Sequence, residues 1–257
     1  KNADFRRNTV LALLKGYAEQ GDLQNLRVFF SFCDEEVRAD AGLNSALLSG
    51  GDRAFEKKDS ALALILYRMV RFSKEAVPVC NTQIAALEAE LARPPPWVPL
   101  AERDRQRLEL QAEHERLAGL RQTVQFFSES GYDLNLQIRT ARCYDAMQRY
   151  RLSLAIYNDI YKKFPEHRLA EQCRASAFQN LLTLDEQDAA VAAGQDYLVC
   201  YPQGRFEDDI IAGLMQLYLL RGELAASGEL GRRALEALPD RRLADQITYL
   251  LGVTVLQ

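Results

Sequence analysis

The sequence is poor in residues that interrupt helices. It has only 8 prolines and 14 glycines in 257 residues, and long stretches contain neither. Proline stops a helix because it has no N–H to donate and restricts the residue before it. The scarcity of both residues therefore favours a helical protein. At roughly 150 residues per domain, the length fits two domains or one elongated array.

Neither sign of charge dominates the sequence. Lys and Arg total 32, Asp and Glu total 36, and the net charge is −4. Dedicated nucleic-acid binders usually carry a basic excess, so we expect no nucleic-acid partner. No apolar run reaches the ~18 residues that a membrane-spanning helix needs, because Arg68 interrupts the longest candidate, residues 61–70. We therefore expect no membrane span.

Cysteine and histidine are too few and too scattered for a disulfide framework or a metal site. The two histidines, His114 and His167, are far apart, and neither has a second His or a Cys at helical spacing. The cysteines are odd in number and no two are close in sequence, so we expect no disulfide framework. Each lies in an apolar helical pattern, so we interpret them as small buried hydrophobes, and free thiols slightly favour a reducing compartment. They are Cys33, Cys80, Cys143, Cys173 and Cys200. We expect no metal and no cofactor.

The motifs of common catalytic sites are also missing. The segment Ser49-Gly50-Gly51-Asp52 lies between helical patterns and lacks the lysine of a phosphate-binding loop. No Ser or Cys nucleophile has a nearby His. The acids Glu207-Asp208-Asp209 begin a predicted helix, where the helix dipole explains them. We expect no enzyme, and an active site built only of carboxylates is the catalytic alternative that stays open.

A repeat of 37 residues runs through the chain. Pro165, Pro202 and Pro239 are spaced at this interval, and each follows two helical patterns separated by a short break. In the last of these units the break is Arg221-Gly222-Glu223, where Gly222 suits a left-handed helix cap. The proline then ends the second helix. Internal repeats of this size are typical of stacked helical hairpins.

The pattern resembles the tetratricopeptide repeat family, whose average period is ~34 residues. Tyr144, Ser153, Tyr157 and Pro165 match the family pattern, whereas Gly194 and Gly231 stand where it has an aromatic residue. The resemblance implies an all-α, right-handed α-α superhelix in one continuous array, with an irregular helical bundle as the alternative. In this register, units begin near Arg7, Asn44, Leu134, Glu171 and Asp208, with a partial unit at Asp245.

The linker between units resembles a particular branch of that family. The segment Tyr201-Pro202-Gln203-Gly204-Arg205-Phe206 is similar to linkers in bacterial cell-envelope proteins, namely outer-membrane assembly lipoproteins and the Tol–Pal accessory protein. This resemblance favours the periplasm slightly, whereas the free cysteines favour the cytoplasm, and both compartments stay open.

Residues 76–131 interrupt the repeat with a pattern of their own. Spacings of three and four along one arm form the a/d seam of a coiled coil, and a second arm follows a proline-rich loop. We predict an inserted antiparallel helical hairpin, with Pro78 kinking a first arm that continues the preceding helix and Trp97 docked at the tip. A divergent helix pair within the stack is the alternative. The array then comprises residues 1–75, 76–131 and 132–257. The arms carry Val77, Cys80, Ile84, Leu87 and Leu91, and Leu110, Leu117, Leu120, Val124 and Phe127.

The resemblance also implies where a partner binds. In the family, ligand contacts come from fixed positions on the first helix of each unit, which line the concave face. Amides there could hydrogen-bond an extended protein or peptide, because they donate and accept together. The alternative is that they are ordinary solvated side chains. Counted from the start of each repeat unit, position 2 is Asn135, Gln172 or Asp209, and position 9 is Arg142, Gln179 or Gln216.

Position 5 argues against one known ligand class. Family members that bind chaperone C-terminal carboxylates use Lys there, whereas this chain has Ile138, Ala175, Ala212 and Tyr249. We therefore expect no binding to such tails.

The leading function is a non-catalytic protein–protein interaction scaffold. One alternative is the helical accessory region of a larger cell-envelope enzyme, since we expect both ends of the sequence to be processing boundaries or fragment ends. Another is an architectural protein that self-associates through an uncovered last helix. That helix carries Leu250, Leu251, Val253 and Val255.

Overall fold

The computed structural model describes residues 2–93, 102–129, 131–237 and 242–256, and all regular secondary structure in these ranges is α-helical. The predicted all-α fold is confirmed. The proline-rich loop with Trp97 lies outside the described residues, as does Pro239. The helices are α1 (Asn2–Gln20), α2 (Leu23–Ser31), α3 (Glu35–Arg38), α4 (Ala41–Glu56), α5 (Ser60–Met69), α6 (Ser73–Leu91), α7 (Arg103–Phe127), α8 (Tyr132–Ala146), α9 (Tyr150–Lys163), α10 (Ala170–Thr183), α11 (Gln187–Cys200), α12 (Glu207–Leu220), α13 (Leu224–Ala237) and α14 (Ala244–Leu256).

The chain divides into two compact units, Lys1–Cys143 and Tyr144–Gln257, with the division inside α8. In the first unit α1 packs on α2 and α4, α4 on α5, and α6 on α7. In the second unit each helix from α9 to α14 packs on the next. Consecutive helices are therefore partners from α9 to α14, and α1–α2, α4–α5 and α6–α7 are consecutive pairs in the first unit, as expected for stacked helical hairpins. In the described part of the chain, no helix is long and apolar enough to cross a membrane.

The repeat is visible in the backbone at the turn between the two helices of each predicted unit. One residue there has a positive φ, and the next donates its N–H to a carbonyl five residues earlier, at 2.8 to 3.0 Å. This is the longer hydrogen bond of the Schellman motif that ends helices. The positive-φ residues are Gly21, Lys58, Gln148, Asp185 and Gly222, at intervals of 37 residues on either side of the insertion. The predicted cap at Gly222 is confirmed.

The two glycines that replace the expected aromatic residue make room for side chains from neighbouring helices. A Cβ on Gly194 would lie 2.8 Å from the ring of Phe178 and from a methyl group of Leu214. A Cβ on Gly231 would lie 2.5 Å from the Sδ-bound methyl group of Met215. The volume of the missing aromatic side chain is thus filled from the preceding or following helices.

The predicted hairpin in residues 76–131 is present as an antiparallel pair of helices. Near the far end of α6, Leu87 packs with Leu117 and Leu120 of α7. Near its start, Cys80 packs with Phe127, the last residue of α7. The pairing of one helix's start with the other's end fixes the antiparallel direction.

The predicted continuity of the first arm with the preceding helix is wrong. Helix α5 ends at Met69, Val70 is extended with ψ of 133°, and α6 begins at Ser73, so Pro78 lies inside a separate helix. The new helix start is held by Asp133, whose Oδ1 accepts from the Ser73 N–H at 2.8 Å.

The environments predicted for the cysteines are correct for three of them. Cys80, Cys143 and Cys173 are buried, and burial raises the pKa of the Cys173 thiol to about 12. Cys33 is only partly buried and Cys200 is exposed, contrary to expectation. Cys33 follows the end of α2, and Cys200 is the last residue of α11.

The last helix is less uncovered than its sequence indicates. Leu250 is buried in a cluster with Ile211, Met215 and Ala234, so it is not part of an open apolar face. Tyr249 is 70% exposed. Self-association through α14 stays a prediction, which light scattering would test.

Candidate functional site

A cavity of about 280 Å³ lies between the C-terminal halves of α10 and α12 in the second unit. We call it the α10–α12 groove. Its lining combines amide side chains with leucines, so it offers hydrogen bonds above an apolar floor. The groove is lined by Gln179, Leu181, Leu182, Thr183, Asp185, Gln187, Gly213, Gln216, Leu217 and Leu220.

Two of the predicted binding residues, Gln179 and Gln216, meet at this groove. Each lies on the first helix of its 37-residue repeat, and the two positions are 37 residues apart. Both side chains are exposed. In the described part of the chain, neither amide has a side-chain hydrogen-bond partner. Both amide groups are therefore available to a ligand.

The floor of the groove depends on a small residue at its centre. A Cβ on Gly213 would lie 2.8 Å from the ring of Phe178, which is buried beneath the groove. Leu181 and Leu217 are buried in the same cluster, whereas Leu220 at the groove's end is 80% exposed. The apolar surface therefore runs from the core to the solvent.

A wider, shallow surface cavity of about 750 Å³ adjoins the groove at the α10–α11 and α12–α13 turns. Asp185 and Gln187 line both cavities. We call the charged lining of the wider cavity the acidic rim. It consists of Asp185, Glu186, Asp188 and Glu223, together with Arg221.

Arg221 is the cation among the residues of the acidic rim, and it forms ion pairs with two of the rim carboxylates. Arg221 contacts Asp188 at 2.8 Å and Glu223 at 2.7 Å, and these hydrogen bonds, Asp188 first, raise the pKa of its guanidinium. Outside the rim, Arg151 approaches Glu186 at 3.5 Å. The side chain of Asp188 is 95% exposed. The rim therefore keeps an excess of carboxylate that faces solvent.

The other predicted residues do not join this groove. Gln172 is half-buried. Asp209 forms an ion pair with Arg242 at 2.6 Å, so its carboxylate already has a partner within the chain. In the first unit, the Asn135 amide donates to the carbonyl of Gly131 at 2.8 Å. Also in that unit, the Arg142 guanidinium stacks on Phe55 at 5.0 Å from the ring centre.

Sequence reasoning missed Asp52, which occupies the same repeat position as Arg142 in the unit near Asn44. Its carboxylate accepts from Arg139 at 2.8 and 3.1 Å and from the Tyr67 hydroxyl at 2.6 Å. Burial works against its ionisation, but these hydrogen bonds outweigh burial and hold its pKa below the ordinary value. The register that selected Arg142 would also have selected Asp52.

Sequence reasoning also missed the acidic rim. Its members lie in turns and at helix starts, so no position on a helix face marks them. Among the described residues, no group of three or more His, Cys, Asp or Glu side chains could hold a metal ion. The chemistry that the groove and rim offer is hydrogen bonding, apolar contact and negative charge.

Comparison with known proteins gives one distant structural similarity. No protein-family model and no curated protein matches the chain. Among solved structures, it is similar to residues 1–338 of the assembly chaperone of RpL4 (Acl4). The identity is 14%, the TM-score is 0.32, and the match covers 97% of this chain and 95% of that one. At this similarity we take nothing about function from that protein.

Proposed function

We propose that this chain is a non-catalytic scaffold that binds a segment of a partner protein in the α10–α12 groove. The observation that carries the proposal is the convergence of Gln179 and Gln216, from two successive repeats, on one cavity with a leucine floor. The six residues predicted from the repeat register include both of them.

The chemistry of the groove favours an extended peptide. A glutamine amide can accept from a backbone N–H and donate to a backbone carbonyl, so two amides on adjacent helices can hold successive parts of one strand. The leucines beside them offer a surface for an apolar side chain, as in most ligand sites that mix apolar walls with a few polar groups. The near-neutral net charge of −4 favours a protein over a nucleic acid.

Selection from a random-peptide phage library tests the proposal directly. The immobilised chain is used for selection, and enriched peptides are synthesised and titrated by fluorescence anisotropy. We expect Gln179→Ala/Gln216→Ala to weaken binding about tenfold, because each lost hydrogen bond contributes on the order of 1 kcal/mol.

A matched control separates the groove from any exposed amide. Gln122→Ala/Gln125→Ala removes two exposed glutamines of α7 and should leave the dissociation constant unchanged. Failure to enrich any peptide, or equal binding by both double variants, would contradict the proposal.

We also infer that the chain is a tetratricopeptide-repeat protein. The five equivalent turns, at 37-residue intervals on either side of the insertion, support this, and so does the packing of consecutive helices. The bacterial cell-envelope type is supported only by the Tyr201–Phe206 linker. Fractionation of cells that make the full-length protein tests it: recovery in the periplasm would support the envelope type, and recovery in the cytosol would contradict it.

A further inference from the structure

We propose that the segment bound in the α10–α12 groove is basic, with a Lys or Arg a few residues from an apolar anchor. This inference rests on the proposed function and adds the chemistry of the partner. It comes from the acidic rim, a feature that the repeat register does not predict.

Charge complementarity is the first reason. The wider cavity is lined by four carboxylates and one guanidinium, and that guanidinium is already engaged by Asp188 and Glu223. A carboxylate-rich surface with its cation engaged attracts a further cation and repels an acidic segment. Arg151 reduces this excess at Glu186 but lies outside the cavity lining.

Continuity of the two cavities is the second reason. Asp185 and Gln187 line both, so an extended peptide that crosses Gln179 and Gln216 can continue into the acidic rim. Along α12, the apolar Leu220 follows Gln216 by four residues and directly precedes Arg221 of the acidic rim. A ligand that fills both cavities must therefore offer hydrogen-bonding backbone, an apolar side chain and positive charge in that order.

Helix and strand dimensions set the spacing of these features. From Gln179 to Thr183, the last residue of α10, a helical rise of about 1.5 Å per residue gives a distance of about 6 Å, and Asp185 lies two residues further on, in the turn. An extended peptide advances about 3.3 Å per residue. The basic side chain should therefore lie at least about two residues from the part of the peptide that contacts the glutamines.

The peptides selected from the phage library provide the test. We expect them to be enriched in Lys or Arg a few residues from an apolar position. We further expect their affinity to fall when NaCl rises from about 0.05 to about 0.5 M, because salt screens exposed charges.

Neutralising the rim should weaken those peptides about tenfold, since each of several exposed ion pairs contributes modestly. The variant is Asp185→Asn/Asp188→Asn/Glu223→Gln. It should not disturb the fold, because Asn tolerates the positive φ of 56° at residue 185. The control is Glu90→Gln/Glu109→Gln/Glu115→Gln, which removes three exposed carboxylates from α6 and α7 and should have no effect.

The outcomes separate the two proposals. Neutral or acidic peptides that still require Gln179 and Gln216 would overturn the inference and leave the proposed function standing. Basic peptides that bind the rim variant and its control equally would also overturn the inference. Peptides that do not depend on the two glutamines would overturn both proposals.

Discussion

The Tyr157 hydroxyl donates a hydrogen bond to Oδ2 of Asp145 at 2.8 Å, joining α9 to the last turn of α8. Oδ1 of the same carboxylate accepts from the Asn180 amide at 2.9 Å, and that amide also donates to the Ser153 hydroxyl at 2.8 Å. Tyr157, Asn180 and Ser153 are all buried. Burial, followed by the nearby Asp145 charge, raises the pKa of the Tyr157 hydroxyl, which therefore stays protonated as a donor.

Replacing Tyr157 by Phe should destabilise the protein by about 1–3 kcal/mol, because a hydrogen bond to a carboxylate is lost while the ring is kept. Urea unfolding followed by circular dichroism measures the change. The control Tyr249→Phe alters a tyrosine that is 70% exposed and should change little. Equal stability of the Tyr157→Phe variant and the wild type would show that this bond contributes nothing net.

Glycine at the turn positions should stabilise the fold. Lys58 and Gln148 have φ of 64° and 58°, which residues with a Cβ adopt at a cost. We expect Lys58→Gly and Gln148→Gly each to raise the free energy of unfolding by about 0.5–1 kcal/mol. Gly222→Ala is the reciprocal variant and should lower it by a similar amount, since Gly222 has φ of 73°. Denaturant midpoints decide the signs, and a loss of stability in the lysine variant would contradict this account of the turns.

Gly194→Ala should destabilise the second unit by about 1–3 kcal/mol. The new Cβ would lie 2.8 Å from Phe178 and from Leu214, both buried, so the core must shift to admit it. Gly119→Ala is the matched control in α7, where nothing lies within 4 Å of an added Cβ. That variant should gain stability, because alanine favours helix over glycine by about 1 kcal/mol. The opposite order in thermal unfolding would show that Gly194 is not packed as described.

Acid should destabilise the first unit through Asp52. Its pKa is lower in the folded protein than the unfolded value of about 3.9, so its contribution is complete above that value. The contribution is lost as the pH falls through the folded pKa. Unfolding midpoints between about pH 6 and pH 3 should therefore fall more steeply for the wild type than for Asp52→Asn. Parallel pH profiles for the two proteins would contradict this prediction.

The helix pairs were predictable from the sequence because the 37-residue period marks both helices and the break between them. Helix α3 was not, because the acids at residues 34–36 gave no periodic apolar pattern. In the structure Asp34 caps that helix, accepting from the Val37 N–H at 2.9 Å. The left-handed turns at Lys58, Gln148 and Asp185 were hidden as well, since lysine and glutamine rarely adopt such a turn and aspartate signals it far more weakly than glycine.

The candidate site was predictable to the extent that it lies on helix faces. Gln179 and Gln216 follow from the repeat position, whereas the partner of Asp209 did not, because Arg242 belongs to the loop before α14. The acidic rim depends on how two turns approach each other. Such an approach is a property of packing between repeats, and although Glu186 and Glu223 occupy the same repeat position, that spacing alone does not show that their turns meet.

The bonds that close the five turns join residues only five positions apart along the chain. Each hairpin can therefore start to form before distant parts of the chain meet, which favours fast folding with several starting points. Neighbouring hairpins then stabilise one another in sequence. We expect hydrogen exchange to show the terminal helices opening first and the hairpins that have neighbours on both sides opening last.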